Sequence, residues 1–250
     1  MKLRANYFIF PKKGCKSSEC EDGLSINLHS GRFCVTDGAS EAFDSRHWAR
    51  LLASTWKLGG EGALLDADSF YGEIISLSKR WKGKWSRSDL PWYVEQKSSQ
   101  GSYTAFLGIQ FKEAIVPDDV FSWEAISLGD CCVFIVDSEG FILETFPMVS
   151  QSEFGNFPAL ISTNFEDESY LKDNLRKTQG VLNIPETMLL MSDAISSWYF
   201  GAADDPIKKQ VFLSLLNSKD KKGLNEFIDN EMQNNLLRND DIAIIYIRNE

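Results

Sequence analysis

The stretch Gly31–Gly38, which reads GRFCVTDG, decides how the fold of this chain is interpreted. Strand-forming residues stop abruptly at Asp37 and Gly38, and a helical pattern follows from Ser40 to Trp56. A carboxylate at the end of a strand, beside a glycine that permits close backbone approach, is well placed to hold a hard cation. The same residues equally suit a strand, a turn and a helix N-cap, so this stretch alone leaves both interpretations open.

The composition indicates a globular chain. It has 250 residues, of which 43% are hydrophobic and 25% charged, enough for one large domain or two small ones. The net charge of -10 argues against broad binding of nucleic acid or acidic membranes. No apolar run could span a bilayer, and residues 1–6 lack the apolar stretch of a signal peptide, so we expect a cytoplasmic protein. Without repeats or a low-complexity linker, we predict a single domain over residues 1–250.

Cysteine and histidine offer few metal ligands. The five cysteines are an odd number, and Cys131 and Cys132 are neighbours that point to opposite faces in a strand, so no disulfide framework is expected. The two histidines, His29 and His47, have no partners at zinc-ligand spacing. If this chain binds a metal, we expect carboxylates to hold it.

Alternating and apolar runs predict strands that are separated by turns and by a few helices. The predicted strands span 3–10, 24–28, 31–37, 101–109, 121–128, 131–136, 141–146, 187–192 and 241–248, and the predicted helices span 40–58, 67–81, 206–216 and 223–237. The second and third strands form a hairpin whose open end would bring Glu21 and Asp22 alongside Asp37 and Gly38. The segment 148–180 is polar, irregular and partly helical, which predicts a flap or binding loop.

Acidic residues recur at the predicted strand boundaries, namely at Glu21-Asp22, Asp37, Asp130, Asp193 and Asp240. Each one alone is an ordinary turn residue. If they converge on one rim of a sandwich, their repulsion requires cations, and ligands made only of oxygen select magnesium or manganese. Two such ions can share a carboxylate and polarise a bridging water for attack on phosphorus.

The ordered series of short motifs resembles the metal-dependent Ser/Thr protein phosphatases of type 2C, and most of all their bacterial branch. The motifs are Glu21-Asp22, Asp37-Gly38, 101–105 (GSYTA), Gly129-Asp130, Ser192-Asp193-Ala194 and Asp240-Asp241. The resemblance implies an α+β fold, a four-layer α-β-β-α sandwich in which helices flank two stacked antiparallel β-sheets. It also implies a site for two Mg²⁺ or Mn²⁺ ions at one end.

The resemblance further implies a role for each acid. Asp37 would bridge both metals, and Asp37, Asp193 and Asp240 would be the catalytic acids. The implied metal-site residues are Glu21, Asp22, Asp37, Gly38, Asp130, Asp193 and Asp240. Among them, Gly38 would offer its carbonyl, Asp22 would accept from bound water, and Asp130 would join Asp193 in a third, weaker site. Asp241 is a secondary candidate.

Three positions depart from the family pattern. Where the family often has an arginine that grips substrate phosphate, this chain has Ser17 beside Lys16, and a lysine lacks the bidentate fork. Ala39 stands where many members have a histidine, and Ala194 stands where glycine is usual. We keep Lys16 and Ser17 as the predicted phosphate-binding positions.

The sequence therefore predicts a metal-dependent phosphatase that hydrolyses phosphoserine and phosphothreonine through a water bridging two ions. The alternative is a weakly active or inactive module of this fold that binds a phosphorylated partner or regulates a kinase. The implied partners are a phosphorylated protein and, as a candidate, a cognate Ser/Thr kinase. We expect neither nucleic acid nor membrane as a partner, and we favour a monomer.

Overall fold

The computed structural model describes residues 3–59, 67–86, 91–112, 120–155, 157–164, 168–202 and 205–249. The strands of this part of the chain are β1 (Leu3–Phe10), β2 (Gly23–Asn27), β3 (Arg32–Gly38), β4 (Tyr103–Phe111), β5 (Val120–Leu128), β6 (Cys132–Val136), β7 (Ile142–Phe146), β8 (Ile161–Ser162), β9 (Arg176–Asn183), β10 (Thr187–Met191) and β11 (Ile242–Asn249). The helices are α1 (Ser45–Leu58), α2 (Ala67–Trp85), α3 (Trp92–Ser99), α4 (Glu168–Asn174), α5 (Asp193–Gly201), α6 (Pro206–Ser218) and α7 (Lys221–Gln233).

The strands form two antiparallel sheets. The first sheet has the order β1-β11-β10-β6-β7, and the second has the order β2-β3-β4-β5-β9, with β8 paired to β4. Consecutive strands pair as hairpins at β2–β3, β4–β5 and β6–β7, whereas the last strand lies between β1 and β10. The predicted α+β sandwich is therefore confirmed.

Three apolar layers hold the sandwich together. Because successive side chains of a strand point to opposite faces, each sheet can bury both of its faces. In β3, Phe33 and Val35 pack between the sheets, whereas Cys34 faces α1 and α2. The outer face of the other sheet packs against α5, α6 and α7, with Phe212 at the centre. The layers therefore run helix, sheet, sheet, helix.

Tryptophans fix α1 on its sheet. The indole N–H of Trp48 donates to the carbonyl of Ile161 at 2.9 Å, and that of Trp56 donates to Ile109 at 3.1 Å. Gly108 leaves room for the Trp56 ring, because a Cβ there would lie 2.7 Å from it. These contacts place the start of α1 beside the end of β3.

Two predicted elements differ from the structure. Helix α1 begins at Ser45 and not at residue 40, since Asp44 adopts a left-handed conformation with φ of 51°, which interrupts a helix. The segment 148–180, read as irregular and partly helical, contains α4, β8 and the first part of β9. Strand β9 is polar because it is an edge strand in which half of the residues are exposed. Residues 156 and 165–167 lie outside the described part, and a flap role stays a prediction.

Helix α3 was not predicted, because none of its residues is buried and its sequence therefore carries no apolar stripe.

All five cysteines are free thiols, and four of them are buried. Within the described ranges, no helix combines the length and apolarity that crossing a membrane requires.

Candidate functional site

The β2–β3 hairpin brings two acidic motifs together. Its register pairs Gly23 with Thr36, so Glu21 and Asp22 continue along the path opposite Asp37 and Gly38. The approach is close: a Cβ on Gly38 would lie 2.9 Å from the backbone oxygen of Glu21. The predicted hairpin is confirmed, and this close contact between its two arms requires a glycine at position 38.

Asp37 lies at the end of β3, where the neighbouring strand holds the backbone in place. In the β3–β4 register, Asp37 stands opposite Ala105. The hydroxyl of Thr104 donates to the backbone carbonyl of Asp37 at 2.6 Å. Its carboxylate therefore projects from a fixed strand end and not from a loop.

Asp193 lies at the junction of β10 and α5. It is the first residue of α5, after Ser192, so its carboxylate lies at the positive end of the helix dipole. The backbone N–H of Ala243 donates to the hydroxyl of Ser192 at 3.0 Å, which joins this junction to β11. The last strand therefore fixes the position of Asp193 relative to Asp240, which precedes β11.

Asp130 follows a turn that only glycine fits. Gly129 has a φ of +109°, and a Cβ there would lie 2.5 Å from the Cβ of Ala105. The turn directs Asp130 inward, where only 4% of it is exposed. Burial, together with the charge of Asp193, raises the pKa of Asp130 to about 7.

Asp193 is the common neighbour of the other acids. Burial raises the pKa of Asp37 well above its usual range, and the charges of Asp22 and Asp193 add to this effect. Burial also raises the pKa of Asp240, again with a contribution from Asp193. Carboxylates raise one another's pKa only at short range. Acids from separate parts of the sequence therefore lie near one another at one rim of the sandwich.

Asp22 is the most deeply buried of these acids, with 1% of the residue exposed. Neither carboxylate oxygen has a hydrogen-bond partner of ordinary geometry among the described residues. Burial raises its pKa well above the usual range, and the nearby Ser192 hydroxyl offsets only part of this. A buried carboxylate without partners is costly, so this oxygen pair is suited to a cation or to the water that a cation binds.

Two basic side chains, which sequence analysis did not identify, contact the acids. The Arg238 guanidinium forms ion pairs with Asp193 and, at 3.0 Å, with Asp240. The Lys12 ammonium lies 3.5 Å from Glu21 and donates to the Ser40 hydroxyl at 3.1 Å. Arg238 stands two residues before Asp240. This closeness in sequence to a predicted metal ligand is the one feature that could have indicated its place in the site.

The two predicted phosphate-binding positions have no described contact with the acids. Lys16 and Ser17 are exposed, and the backbone N–H of Lys16 donates to Glu19 at 2.6 Å. Ser17 lines a surface groove together with Pro11 and Lys221. Their role in phosphate binding stays a prediction, and Arg238 is the basic residue that contacts Asp193.

Asp241, the secondary candidate, has both oxygens engaged by the backbone. Its Oδ1 accepts from the N–H of Lys12 and its Oδ2 accepts from the N–H of Glu21, each at 2.7 Å. Glu21 itself accepts from the hydroxyls of Ser40 and Ser45, at 2.5 and 2.8 Å. Asp241 therefore positions the first acidic pair through backbone hydrogen bonds to both of its oxygens.

The donor set fits a hard divalent cation. Every converging side chain offers carboxylate oxygen, and Asp22 has buried oxygens that a cation or its water could satisfy. Among the described side chains, no three acids, cysteines or histidines already stand close enough to share an ion. The Arg238 guanidinium contacts two of these carboxylates, those of Asp193 and Asp240. The individual ligand assignments stay predictions.

Comparison with solved structures finds the same fold over the whole chain. A serine/threonine phosphatase of Mycobacterium tuberculosis, PstP/Ppp, aligns with a TM-score of 0.62 at 10% identity and 100% coverage of both chains. The serine/threonine phosphatase Stp1 of Staphylococcus aureus aligns at 0.59 and 12% identity, covering 100% of this chain and 96% of its own. The catalytic domain of PstP in complex with two manganese ions aligns at 0.59 and 11% identity, covering 98% and 97%.

No protein-family model matches the sequence, and no curated protein matches it either. The fold that the sequence resemblance implied is therefore found by structure and not by sequence similarity. The chain has the type 2C phosphatase fold.

Proposed function

We propose that this chain is a metal-dependent phosphatase that hydrolyses phosphoserine and phosphothreonine in proteins. One observation carries the proposal: Asp22, Asp37, Asp130 and Asp240 gather around Asp193 at the rim of this sandwich. Acids buried together raise the free energy of the folded chain, which favours a role that uses them. The fold, shared with solved Ser/Thr phosphatases, supports the reaction class.

The residues that would hold Mg²⁺ or Mn²⁺ are Asp37, with the carbonyl of Gly38, together with Asp193 and Asp240. Asp130 would complete a third position with Asp193, and Glu21 and Asp22 would accept hydrogen bonds from water at the site. Bound ions would supply an acidic water as the nucleophile and would neutralise the phosphoryl oxygens.

The protein's own part in the reaction is to position charge. The strand ends and the N-terminus of α5 hold the acids in place before substrate arrives. The free energy spent on reorganising the cluster during the reaction is therefore small. Asp22 is buried beside the cluster and can hold a water proton through its unpartnered oxygens. Ala39 offers no proton to the leaving oxygen, so we expect slower turnover with alkyl phosphates than with an aryl phosphate, whose leaving group needs no proton.

The direct test is hydrolysis of p-nitrophenyl phosphate and of a phosphothreonine peptide by the purified chain with MnCl₂. We expect turnover that EDTA abolishes and that Asp37→Asn lowers by at least about a thousandfold, since a shared ligand would be lost. The matched control is Asp173→Asn, which changes an exposed acid of α4. Turnover that survives both EDTA and Asp37→Asn would contradict the proposal.

A second candidate function is a phosphate-recognising module without turnover. The specific observation in its favour is that Arg238 and Lys12 already neutralise part of the acidic cluster. Such a module would bind a phosphorylated partner or regulate a kinase. Manganese binding by calorimetry, without hydrolysis of either substrate, would favour this function over the enzyme.

A further inference from the structure

The acidic rim, which is the edge of the sandwich where Asp22, Asp37, Asp130 and Asp240 lie near Asp193, needs a positively charged group that can bind a phosphate. Once ionised, these five acids outnumber the positive charges that two divalent ions supply, so an incoming phosphate dianion would still meet negative charge. We propose that Arg238 is this positively charged group. It pairs with Asp193 and Asp240 while no divalent ion is bound, and it turns to the substrate phosphate once an ion takes those carboxylates. This inference rests on the proposed function, because it assumes that an ion and a phosphate share the site.

The exposure of the three side chains supports this arrangement. The Arg238 side chain is 54% exposed, whereas those of Asp193 and Asp240 are 15% and 32% exposed. The guanidinium therefore covers the two carboxylates on their solvent side. A phosphate group that approaches from solvent reaches Arg238 before it reaches the acids.

The backbone at this point is fixed, so only the side chain has to move. Leu237, the preceding residue, is buried at 4% exposure, and its N–H donates to the carbonyl of Glu231 at 3.2 Å. A half-exposed ion pair contributes little stability, so a divalent ion can displace the guanidinium at small cost. The released side chain would stay within reach of the site because buried Leu237 anchors the backbone next to it.

Arginine is better suited to this role than the other basic residue at the rim. Its planar fork can donate two parallel hydrogen bonds to a phosphate, whereas an ammonium acts as a point charge. Lys12 is also engaged elsewhere, since its ammonium lies between Glu21 and the hydroxyl of Ser40. Arg238 would thus replace the arginine that the family pattern places near Ser17.

Calorimetry on the full chain tests the proposal through binding alone. MnCl₂ is titrated without substrate, and inorganic phosphate is then titrated into the manganese-loaded chain. We expect Arg238→Gln to bind Mn²⁺ about two- to fivefold more tightly, because the competing cation is gone. We expect the same variant to bind phosphate about tenfold more weakly or worse. A residue with a purely structural role would not move the two affinities in opposite directions.

Two further variants complete the design. Arg238→Lys keeps the charge but loses the fork, so its phosphate affinity should fall between wild type and Arg238→Gln, while its Mn²⁺ affinity stays near wild type. Lys172→Gln is the matched control, because Lys172 also bridges two carboxylates, those of Asp68 and Glu168, outside the acidic rim. We expect Lys172→Gln to change neither affinity.

The outcomes separate this inference from the proposed function. Unchanged phosphate affinity in both Arg238 variants, or a wild-type chain that binds no Mn²⁺, would overturn it. A wild-type chain that binds phosphate through Arg238 but hydrolyses neither p-nitrophenyl phosphate nor a phosphothreonine peptide would support the inference and reject the enzyme. Turnover with no dependence of phosphate affinity on Arg238 would retain the enzyme and reject the inference.

Discussion

The Oδ2 atom of Asp241 accepts a hydrogen bond from the backbone N–H of Glu21 at 2.7 Å, and this bond joins the start of the last strand to the first acidic pair. The other oxygen accepts from Lys12, so one carboxylate holds two separate segments. The first and last parts of the chain thus meet through a residue that sequence analysis treated only as a secondary ligand.

Replacing Asp241 should destabilise the fold more than it weakens ion binding. We expect Asp241→Ala to lower the free energy of unfolding by roughly 2–4 kcal/mol, because two charge-assisted hydrogen bonds are lost. Asp241→Asn should lose about half as much, since an amide retains one acceptor oxygen. Urea denaturation without metal measures both values. If the Ala variant kept its stability but lost Mn²⁺ binding, Asp241 would be a ligand after all.

Replacing Asp22 should weaken ion binding and stabilise the metal-free fold, which is the reverse of the effect expected for Asp241. Asp22→Asn removes a buried carboxylate that has no ordinary hydrogen-bond partner, so we expect the metal-free chain to gain about 1–2 kcal/mol at pH 7.5. We also expect weaker stabilisation by MnCl₂, seen as a smaller rise in Tm. Thermal denaturation with and without the ion checks both effects. A metal-free variant less stable than wild type would show that the Asp22 carboxylate already stabilises the fold.

The stability of the metal-free chain should fall as pH rises from about 4 to about 7. An unfolded aspartate has a pKa of about 3.9, whereas burial raises the pKa of Asp130 to about 7. The folded chain therefore binds more protons across this window, and deprotonation of Asp130 then removes roughly 4 kcal/mol of stability. Urea denaturation from pH 4 to pH 8 gives the slope.

Asp130→Asn should make the fall in stability with pH shallower without abolishing it, because burial also raises the pKa of Asp22, Asp37 and Asp240. Glu41→Gln, which changes an exposed acid, should leave the pH dependence unchanged. Saturating MnCl₂ should reduce the loss of stability with rising pH, because bound ions require deprotonated carboxylates. A metal-free chain whose stability rises steadily to pH 8 would contradict the buried position of Asp130.

Gly38 and Gly72 offer a matched pair of glycine substitutions. Gly38→Ala places a Cβ 2.9 Å from the Glu21 carbonyl, so we expect a loss of roughly 1–3 kcal/mol and weaker Mn²⁺ binding. Gly72→Ala lies in α2 with nothing within 4 Å of its Cβ, and it should gain up to about 1 kcal/mol. Denaturation and calorimetry on both variants test the contact. Equal stability of the two variants would show that Gly38 is not required at the hairpin.

Much of the fold follows from local patterns. Strand β1 has the predicted boundaries 3–10, and the hairpin from Gly23 to Gly38 has the predicted partners. Helix α3 and edge strand β9 were missed or misread, because exposed elements carry no apolar periodicity that would reveal them. The start of α1 was placed too early, since the left-handed conformation of Asp44 leaves no clear signal in the sequence.

The sequence by itself determined most of the succession of strands and helices and the position of acids at the boundaries of several strands. Periodicity and turn residues act between near neighbours in the chain, so they can be read without coordinates. Only the tertiary structure decided that Asp193 lies beside the other acids, that Asp241 holds two backbone segments, and that Arg238 covers the cluster. Those relationships depend on charges and hydrogen bonds between residues far apart in the chain, and such contacts exist only after the two sheets have packed together.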